Sequence, residues 1–214
     1  MPIEPPKLIE EYVRKLFAPE DAALGAVPQR QEAEGLPAIN VSAEEGKLLA
    51  VLLKAVGAKR VLEIGTLGGY SGTWMARALP EGGRLVTLEI DPKHAALARQ
   101  TFKDTGVADR VDVRQGSARD IVPTLQPGFD AVFIDADKTS QVFYYQQAMR
   151  LLRVGGLLLV DNAYYDDRIV DSANHEPGTE AVREVNQLAA QDPRLAATII
   201  SVRDGLLVGV KLAN

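Results

Sequence analysis

The 214-residue sequence contains no cysteine and only two histidines. The absence of cysteine excludes disulfides, thiolate catalysis and thiolate metal ligands, and two histidines argue against a His-rich zinc site. Basic residues are also in the minority: 24 Lys and Arg stand against 29 Asp and Glu, which gives a formal net charge of −5. That balance lacks the basic footprint of a nucleic-acid binder, so we expect no nucleic-acid partner.

Long apolar runs are missing as well. No run approaches the roughly 18 residues of a membrane-spanning helix, so we expect no membrane partner. The segment Met1–Glu11 lacks the apolar stretch of a secretion signal, and we therefore expect a cytoplasmic protein. The hydrophobic fraction of 46% is ordinary for a folded domain. At roughly 150 residues per domain, the length predicts one domain with a short appendage.

The first forty residues differ from the rest, because six prolines interrupt short helical patterns there. We expect residues 1–40 to form an N-terminal helical arm laid over a core, and residues 41–214 to form the main domain. Ser42-Ala43-Glu44-Glu45 has the form of a capping box, with Ser42 as the N-cap and Glu45 as its partner. Apolar residues at helical spacing then continue to Val56, and Gly57 is predicted to end that helix.

From residue 60 onward, short apolar runs alternate with amphipathic helical patterns. The predicted strands are Arg60–Ile64, Arg84–Ile90, Val111–Gln115, Asp130–Asp135 and Gly155–Val160, and the predicted helices span residues 70–79, 92–105, 119–125, 139–153 and 178–191. This alternation indicates a parallel sheet covered on both faces. Thr198–Val202 and Leu206–Lys211 flank an Asp-Gly turn signal. We therefore predict an α/β fold with a doubly wound, mostly parallel seven-stranded sheet and an antiparallel C-terminal hairpin.

A glycine turn follows the first predicted strand. Residues 61–71 read Val-Leu-Glu-Ile-Gly-Thr-Leu-Gly-Gly-Tyr-Ser, which predicts a strand, a Gly-rich turn and the start of a helix. Glycines let a cofactor approach the backbone, and a helix N-terminus offers free N–H groups. The spacing is not G-x-G-x-x-G, which weakens a dinucleotide interpretation. A tight connection without a ligand stays open as the alternative.

An acidic residue ends the second predicted strand. Glu89 lies 24 residues after Gly65. Doubly wound folds hold a ribose diol with an acid about 20 residues beyond the glycine turn. The turn and the acid together predict a nucleoside cofactor. The alternative is that Glu89 and Asp91 cap the following helix.

Polar residues follow the fourth and fifth predicted strands. Asp135-Ala136-Asp137-Lys138 comes after the fourth, and Asp161-Asn162 comes after the fifth. If these strands are neighbours, their ends lie about 4.8 Å apart. Asp135, Asp161 and Asn162 then converge as oxygen ligands for a hard cation such as Mg²⁺, Mn²⁺ or Ca²⁺. The alternative is that the acids cap a helix or begin a turn.

These motifs together resemble one family. Glu63-Ile64-Gly65, Glu89 and the two strand-end motifs are similar to those of the cation-dependent O-methyltransferases that use S-adenosylmethionine, typified by the catechol and caffeoyl-CoA enzymes. The resemblance covers about residues 36–212. It implies a class I methyltransferase, Rossmann-like in fold, that methylates a catechol-like or other vicinal-diol phenol. It also implies a homodimer, in which the apolar helical arm packs on a second copy.

The resemblance also implies roles for single residues. The cofactor-binding residues would be Val41, Glu63, Gly65, Thr66, Ser71, Glu89, Ala118 and Asp135. Asp135, Asp161 and Asn162 would bind the metal, and the catalytic residues would be Lys138, as general base, and Asp135. Tyr164 and Tyr165 either stack on an aromatic substrate or cover the core edge. Asp166 stands where the plant caffeoyl-CoA enzymes have an Asn, and the Trp-Asn pair of those enzymes is missing, which argues against a CoA ester.

Two other functions stay open. An NAD-dependent oxidoreductase shares the strand, the turn and the acid, although the glycine spacing and the paired strand-end acids argue against it. A non-catalytic nucleoside-binding domain is the second alternative. Outside the motifs, we expect Trp74, Tyr144 and Tyr145 to pack in the core, and His94 and His175 to be solvated. The segment 163–178 and the arm are expected to set acceptor choice, because long loops without evident secondary structure are often functional.

Overall fold

Among the described residues, seven strands form the centre of the protein. The computed structural model describes residues 7–214, so the start of the predicted arm, with Pro2, Pro5 and Pro6, lies outside that range. The strands are β1 (Arg60–Ile64), β2 (Arg84–Glu89), β3 (Val111–Gln115), β4 (Phe129–Ile134), β5 (Leu152–Val160), β6 (Leu195–Ile200) and β7 (Leu206–Lys211). They form one sheet in the order β3-β2-β1-β4-β5-β7-β6.

The sheet is parallel from β3 to β5, and β7 is antiparallel to both of its neighbours, β5 and β6. This confirms the predicted doubly wound, mostly parallel sheet with an antiparallel C-terminal hairpin. The chain runs outward from β1 to β2 and β3, and then returns to β4 on the other side of β1. A reversal of this kind opens a crevice at the carboxyl ends of β1 and β4.

Helices cover both faces of the sheet. They are α1 (Lys7–Phe17), α2 (Ala22–Gly25), α3 (Val27–Ala33), α4 (Ala43–Ala55), α5 (Tyr70–Ala78), α6 (Pro92–Asp104), α7 (Ala118–Ile121), α8 (Gln141–Leu151) and α9 (Pro177–Gln191). Successive strand residues enter different cores: Val61 packs with α4, α5 and α6, whereas Leu62 packs with α8 and α9. Because both faces are buried, the parallel strands read as continuous apolar runs.

Several element boundaries differ from those predicted. The predicted helix 119–125 is α7 followed by a 3₁₀ turn at Val122–Thr124, since Pro123 cannot continue the α-helical hydrogen bonds. β5 begins at Leu152 rather than Gly155, because its first residue pairs with Phe129 across an irregular register. β6 begins at Leu195, three residues early. Its alanines at 196 and 197 conceal the strand pattern in the sequence.

The predicted helix start at Ser42 is confirmed, and one half of the predicted capping box is formed. Ser42 Oγ accepts a hydrogen bond from the backbone N–H of Glu45 at 3.2 Å, as an N-cap should. The reciprocal half of the capping box is absent, because the Glu45 carboxylate does not turn back to Ser42 and is instead buried at 1% exposure. Gly57 ends the helix as predicted, with a φ of +61°.

The described part of the arm contains α1, α2 and α3. Polar contacts tie it to the main domain: Arg14 pairs with Glu44 of α4, and Tyr70 of α5 donates a hydrogen bond to Glu20 at 2.8 Å. One face of α1 stays exposed and apolar, comprising Leu8, Ile9, Tyr12, Leu16 and Phe17. Within residues 7–214, no helix has both the length and the apolar character to cross a membrane.

Candidate active site

A cavity with a volume of about 970 Å³ lies at the carboxyl ends of the parallel strands. It is lined by segments that follow β1, β2, β3, β4 and β5, together with residues 37–41 and the turn before β7. This is where the strand order reverses, which is the usual ligand site of doubly wound folds. The volume is at the upper end of the roughly 300–1,000 Å³ range of ligand pockets, so it has room for two small molecules.

The glycine turn after β1 forms one wall. Gly65 has a φ of +97°, and a β-carbon there would lie 1.9 Å from the carbonyl oxygen of Asp135. The sequence interpretation assigned this glycine to cofactor approach. In the structure, Gly65 makes room for the backbone that follows β4. Gly65, Thr66 and Ser71 all line the cavity.

Glu89 organises that turn. Its Oε2 accepts hydrogen bonds from the backbone N–H groups of Leu67 at 2.8 Å and Thr66 at 3.3 Å, and its Oε1 accepts one from Asp91 at 2.9 Å. The predicted alternative, that Asp91 caps the next helix, is also correct for Asp91, which accepts hydrogen bonds from Lys93 and His94. Glu89 itself lines the cavity and is 7% exposed. Its carboxylate therefore joins the turn to the second strand.

Glu63 lies behind the cavity rather than in its lining. It is fully buried and accepts hydrogen bonds from Ser71 Oγ and Thr87 Oγ1, each at 2.6 Å. Burial raises the pKa of Glu63 to about 8, although the two hydroxyl donors oppose that shift. Glu63 thus reaches the cavity through Ser71. The resemblance implies that Glu63 lines the cofactor pocket, whereas in the structure its hydrogen-bond partner Ser71 lines the cavity.

The remaining predicted cofactor residues lie around the same half of the cavity. Ala118 lines it together with Arg119 at the start of α7, and Val41 lines it from the segment before α4. His94, which we expected to be solvated, also lines the cavity, with Nδ1 3.7 Å from Glu89 Oε1. That expectation was wrong because the first turn of α6 faces the end of β2.

The strand-end acids converge as predicted. β4 and β5 are parallel neighbours with Ile134 beside Val160, which places Asp135 next to Asp161. Lys138 Nζ lies 3.6 Å from Asp135 Oδ1. Asn162 adopts a φ of +59° and donates its backbone N–H to Asp161 Oδ1 at 2.7 Å. Asp135, Lys138 and Asn162 line the cavity, and Asp161 lies just behind them at 5% exposure.

The same region carries an excess of buried negative charge. Burial and the neighbouring Asp161 raise the pKa of Asp135 to about 6. Burial and Asp161 likewise raise the pKa of Glu45 to about 9, and neither oxygen of Glu45 has a hydrogen-bond donor. Within the described residues, no group of three His, Cys, Asp or Glu side chains is close enough to enclose an ion by itself. The neighbouring carboxylates of Asp135 and Asp161, together with the amide of Asn162, fit a hydrated divalent cation.

Only two of the three residues predicted to contact the acceptor line the cavity. Tyr165 and Asp166 line the cavity, but Tyr164 does not. The Tyr164 ring packs against Gly205, and its hydroxyl lies 2.7 Å from Ser201 Oγ, so it covers the core edge, as the alternative interpretation stated. Asp166 donates its backbone N–H to Asp204 Oδ1 at 2.8 Å.

Besides His94, three further groups at or next to the cavity were not expected. Arg203 and Asp204 line the cavity, and Glu45 is buried against Asp161. Arg203-Asp204-Gly205 was interpreted only as a turn, and Glu45 only as a helix cap. The antiparallel pairing of β7 with β5 returns that turn to the site, where Arg203 Nη1 donates to the Asn40 carbonyl at 2.7 Å.

The other single residues mostly follow expectation. Trp74, Tyr144 and Tyr145 are buried, with the tyrosine hydroxyls donating to Asp137 and Asp192. Asp137 also accepts a hydrogen bond from Ser140 N–H, so it caps the turn after β4 and is not part of the acidic pair. His175 is exposed and lies 2.7 Å from Glu180.

Comparison with known proteins shows similarity to O-methyltransferases. The family model described as O-methyltransferase matches residues 19–212, so the similarity begins within the predicted arm, earlier than the motifs indicated. A catechol O-methyltransferase of Niastella koreensis is 42% identical over 207 residues, covering 95% of this chain and 91% of its own. A catechol O-methyltransferase of Mycobacterium tuberculosis is 44% identical over 196 residues, covering 91% and 89% respectively.

Among solved structures, the O-methyltransferase of Bacillus cereus in complex with SAH superposes with a TM-score of 0.90 at 38% identity, covering 95% of this chain and 97% of that one. The similarity extends over the whole sheet and its helices. It favours the methyltransferase interpretation over the NAD-dependent alternative.

Proposed function

This chain belongs to the S-adenosylmethionine-dependent O-methyltransferases, and we propose that it methylates a hydroxyl of a catechol-like phenol with the help of a divalent cation. The observation that carries the proposal is the placement of Asp135, next to the buried Asp161, and of Lys138 beside the wall formed by Gly65 and Glu89. One cavity thus brings the glycine turn and Glu89 together with the strand-end acids and Lys138, which supports binding of a nucleoside cofactor beside a cation and an acidic hydroxyl. The names of the two catechol-methylating relatives support the acceptor class.

The cofactor half of the proposal rests on groups around the glycine turn. Glu89 has lone pairs left beyond its backbone hydrogen bonds and is the group we assign to the ribose hydroxyls. We assign Ala118 to the adenine, and Val41, Gly65, Thr66 and Ser71 to the amino-acid end. Glu63 acts by holding Ser71, so its role is to orient the wall.

We assign Asp135, Asp161 and Asn162 to a divalent cation, with Mg²⁺ preferred and Mn²⁺ or Ca²⁺ as alternatives. A bound cation favours the ionised form of a phenol, whose pKa in water is about 10. The cation also offsets the repulsion between Asp135 and Asp161, which lie together in a poorly solvated place. Asp135 lines the cavity between the two halves, so we expect it to affect both.

Lys138 is the group we assign to proton removal at the acceptor. Its side chain is 13% exposed, and its Nζ lies 3.6 Å from Asp135 Oδ1. This position places the amine beside the proposed acceptor site, where a neutral lysine acts as a general base. The acceptor oxygen then attacks the methyl carbon, the new C–O bond forms as the C–S bond breaks, and sulfur keeps the electron pair. No covalent enzyme intermediate is needed.

The acceptor half is bounded by Tyr165, Asp166, Arg203 and residues 37–40 of the arm. The segment 163–178 forms part of this wall and is held by Arg183, whose guanidinium donates to the carbonyls of Arg168 at 3.0 Å and Asn174 at 2.7 Å. We propose that this wall sets acceptor choice. We also propose a homodimer, in which the exposed apolar face of α1 packs on a second copy.

The direct test is methyl transfer from S-adenosylmethionine to paired acceptors that differ by one hydroxyl. With Mg²⁺ present, we expect catechol to be methylated and phenol to react far more slowly, because a single hydroxyl cannot chelate a cation and its oxygen is therefore less well oriented toward the methyl group. Equal rates with catechol and phenol would contradict the vicinal-diol class. No transfer to any member of a panel of catechols, flavonoids and hydroxycinnamates would contradict the phenolic class altogether.

A further inference from the structure

Glu45 is a buried carboxylate without a donor. It lies in the first turn of α4, its side chain is 1% exposed, and no N–H or hydroxyl group of the described residues donates to Oε1 or Oε2, which lie within hydrogen-bonding reach only of the Asp161 carboxyl group. Burying a carboxylate without hydrogen bonds is costly, so natural structures pair such groups or place them near a metal. The neighbouring Glu44 differs, because its carboxylate accepts a hydrogen bond from Arg14 at 2.9 Å.

The groups that face Glu45 are mainly negative. Its carboxylate lies against that of Asp161, and Asp135 is the next acid along the same edge. The basic group that faces it is Arg203, with Nη1 3.7 Å from Glu45 Oε2, beyond hydrogen-bond length. That Nη1 already donates to the Asn40 carbonyl, and the Arg203 side chain is 48% exposed. Arg203 therefore compensates Glu45 only in part.

We propose that Glu45 belongs to the cation site and holds the ion through one of its bound water molecules. This inference rests on the proposed function, since it assumes a cation at Asp135, Asp161 and Asn162. Contact through water follows from the spacing, because no three acidic side chains of the described residues are close enough to enclose an ion directly. Mg²⁺ keeps several of its waters in proteins, and such a water donates the hydrogen bonds that Glu45 lacks.

In this proposal, helix α4 takes part in cation binding through Glu45, whereas Asp135, Asp161 and Asn162 all follow strands of the sheet. Ser42 fixes the start of α4 and so fixes where the Glu45 side chain points. A group that holds a cation's outer ligand typically contributes 10–100-fold to metal affinity. Glu45 is thus a positioning residue in this proposal.

The experiment measures Mn²⁺ binding to the full chain by electron paramagnetic resonance, without cofactor or acceptor, so that no turnover is needed. We expect Glu45→Gln to weaken Mn²⁺ binding about 10–100-fold. Glu44→Gln, the same change one residue earlier, is the matched control and should bind Mn²⁺ like the wild type.

Arg203→Gln provides a second, surface-exposed variant that does not depend on how Glu45→Gln folds. If Glu45 serves the cation, removal of the competing guanidinium should leave Mn²⁺ binding intact or tighten it several-fold. If Glu45 serves only to anchor Arg203, both variants should lower the melting temperature and leave Mn²⁺ affinity unchanged, which would overturn the inference.

Two outcomes separate this inference from the proposed function. A wild-type protein that binds no Mn²⁺ overturns the cation site and Glu45 with it. Wild-type binding that Asp161→Asn abolishes and Glu45→Gln leaves unchanged overturns the Glu45 role alone. A third outcome also overturns the Glu45 role alone. In it, Glu45→Gln leaves Mn²⁺ binding unchanged but lowers the affinity for S-adenosylmethionine more than the affinity for its uncharged thioether product. Glu45 would then face the sulfonium charge of the cofactor and not the cation.

Discussion

Gly65 and Asp135 approach each other so closely that a single methyl group does not fit between them. A β-carbon at Gly65 would lie 1.9 Å from the Asp135 carbonyl oxygen, and 2.7 Å from its carbonyl carbon. This contact joins the turn after β1 to the end of β4, and therefore joins the proposed cofactor wall to the proposed cation edge. The spacing between the two halves of the site is fixed by backbone, not by side chains.

Gly65→Ala should therefore destabilise the protein and weaken cofactor binding together. Gly106→Ala is the matched control, because Gly106 also has a positive φ, +72°, but has open space around its α-carbon. The control should cost about 1–2 kcal/mol, the strain of a left-handed residue. In urea unfolding, Gly65→Ala should lower the free energy of unfolding more than the control does. In calorimetry, it should also lower the affinity for S-adenosylmethionine. Equal losses in both variants would show that the contact with Asp135 is unimportant.

Glu89→Ala should weaken S-adenosylmethionine binding by about 1.5–3 kcal/mol, the contribution of a hydrogen bond to a charged group. The loss has two sources, the ribose contact and the hydrogen bonds that Glu89 accepts from Thr66 and Leu67. Calorimetry measures the effect, with the exposed Glu81→Ala as the control. Unchanged affinity in Glu89→Ala would remove this residue from the cofactor site.

Removal of divalent cations should abolish methyl transfer. After exhaustive EDTA treatment we expect no transfer to a catechol, and recovery when Mg²⁺ or Mn²⁺ is added. Asp161→Ala should cut turnover strongly while cofactor affinity changes little, because Asp161 lies behind the acceptor side. Asp135→Ala should reduce both, since Asp135 lines the junction of the two halves. Full activity in EDTA, with no response to either metal, contradicts the cation mechanism.

Tyr165→Ala should raise the KM for catechol acceptors and leave cofactor affinity unchanged, because Tyr165 lines the acceptor half. The matched control is Tyr164→Phe, which removes only the hydroxyl contact with Ser201 away from the cavity and should leave KM unchanged. Steady-state kinetics over several catechols measures both. A fall in cofactor affinity with no change in acceptor ranking would assign this segment to the other half of the site.

The α1 face should mediate dimerisation. Leu16 is 56% exposed in the single chain and lies among the other apolar residues of α1. Burial of such a side chain contributes about 1.5–3 kcal/mol, so Leu16→Glu should shift a dimer toward monomer in light scattering. Val170→Glu, at a position 79% exposed on the segment after β5, is the control and should leave the dimer intact. A wild-type mass near 23 kDa at micromolar concentration rules out the dimer.

Local pattern determined most of the fold. Continuous apolar runs, glycine turns and helix caps are properties of a few adjacent residues, and they located all five parallel strands and the reversed final strand. The convergence of Asp135 with Asp161 also followed from sequence, because each acid directly follows a strand and the carboxyl ends of adjacent parallel strands meet at one edge. The exact residue at which an element begins did not follow, as β5 and β6 show.

Only the tertiary structure decided which groups from distant segments complete the site. Glu45 had the sequence pattern of a helix cap, and its position beside Asp161 depends on how α4 packs against α5 and the rest of the domain. Arg203 had the pattern of a turn, and its position depends on the antiparallel pairing of β7 with β5. Gly65 was recognised, but its contact is with the backbone of Asp135, 70 residues away. Such contacts arise from packing between elements, which no short sequence pattern encodes.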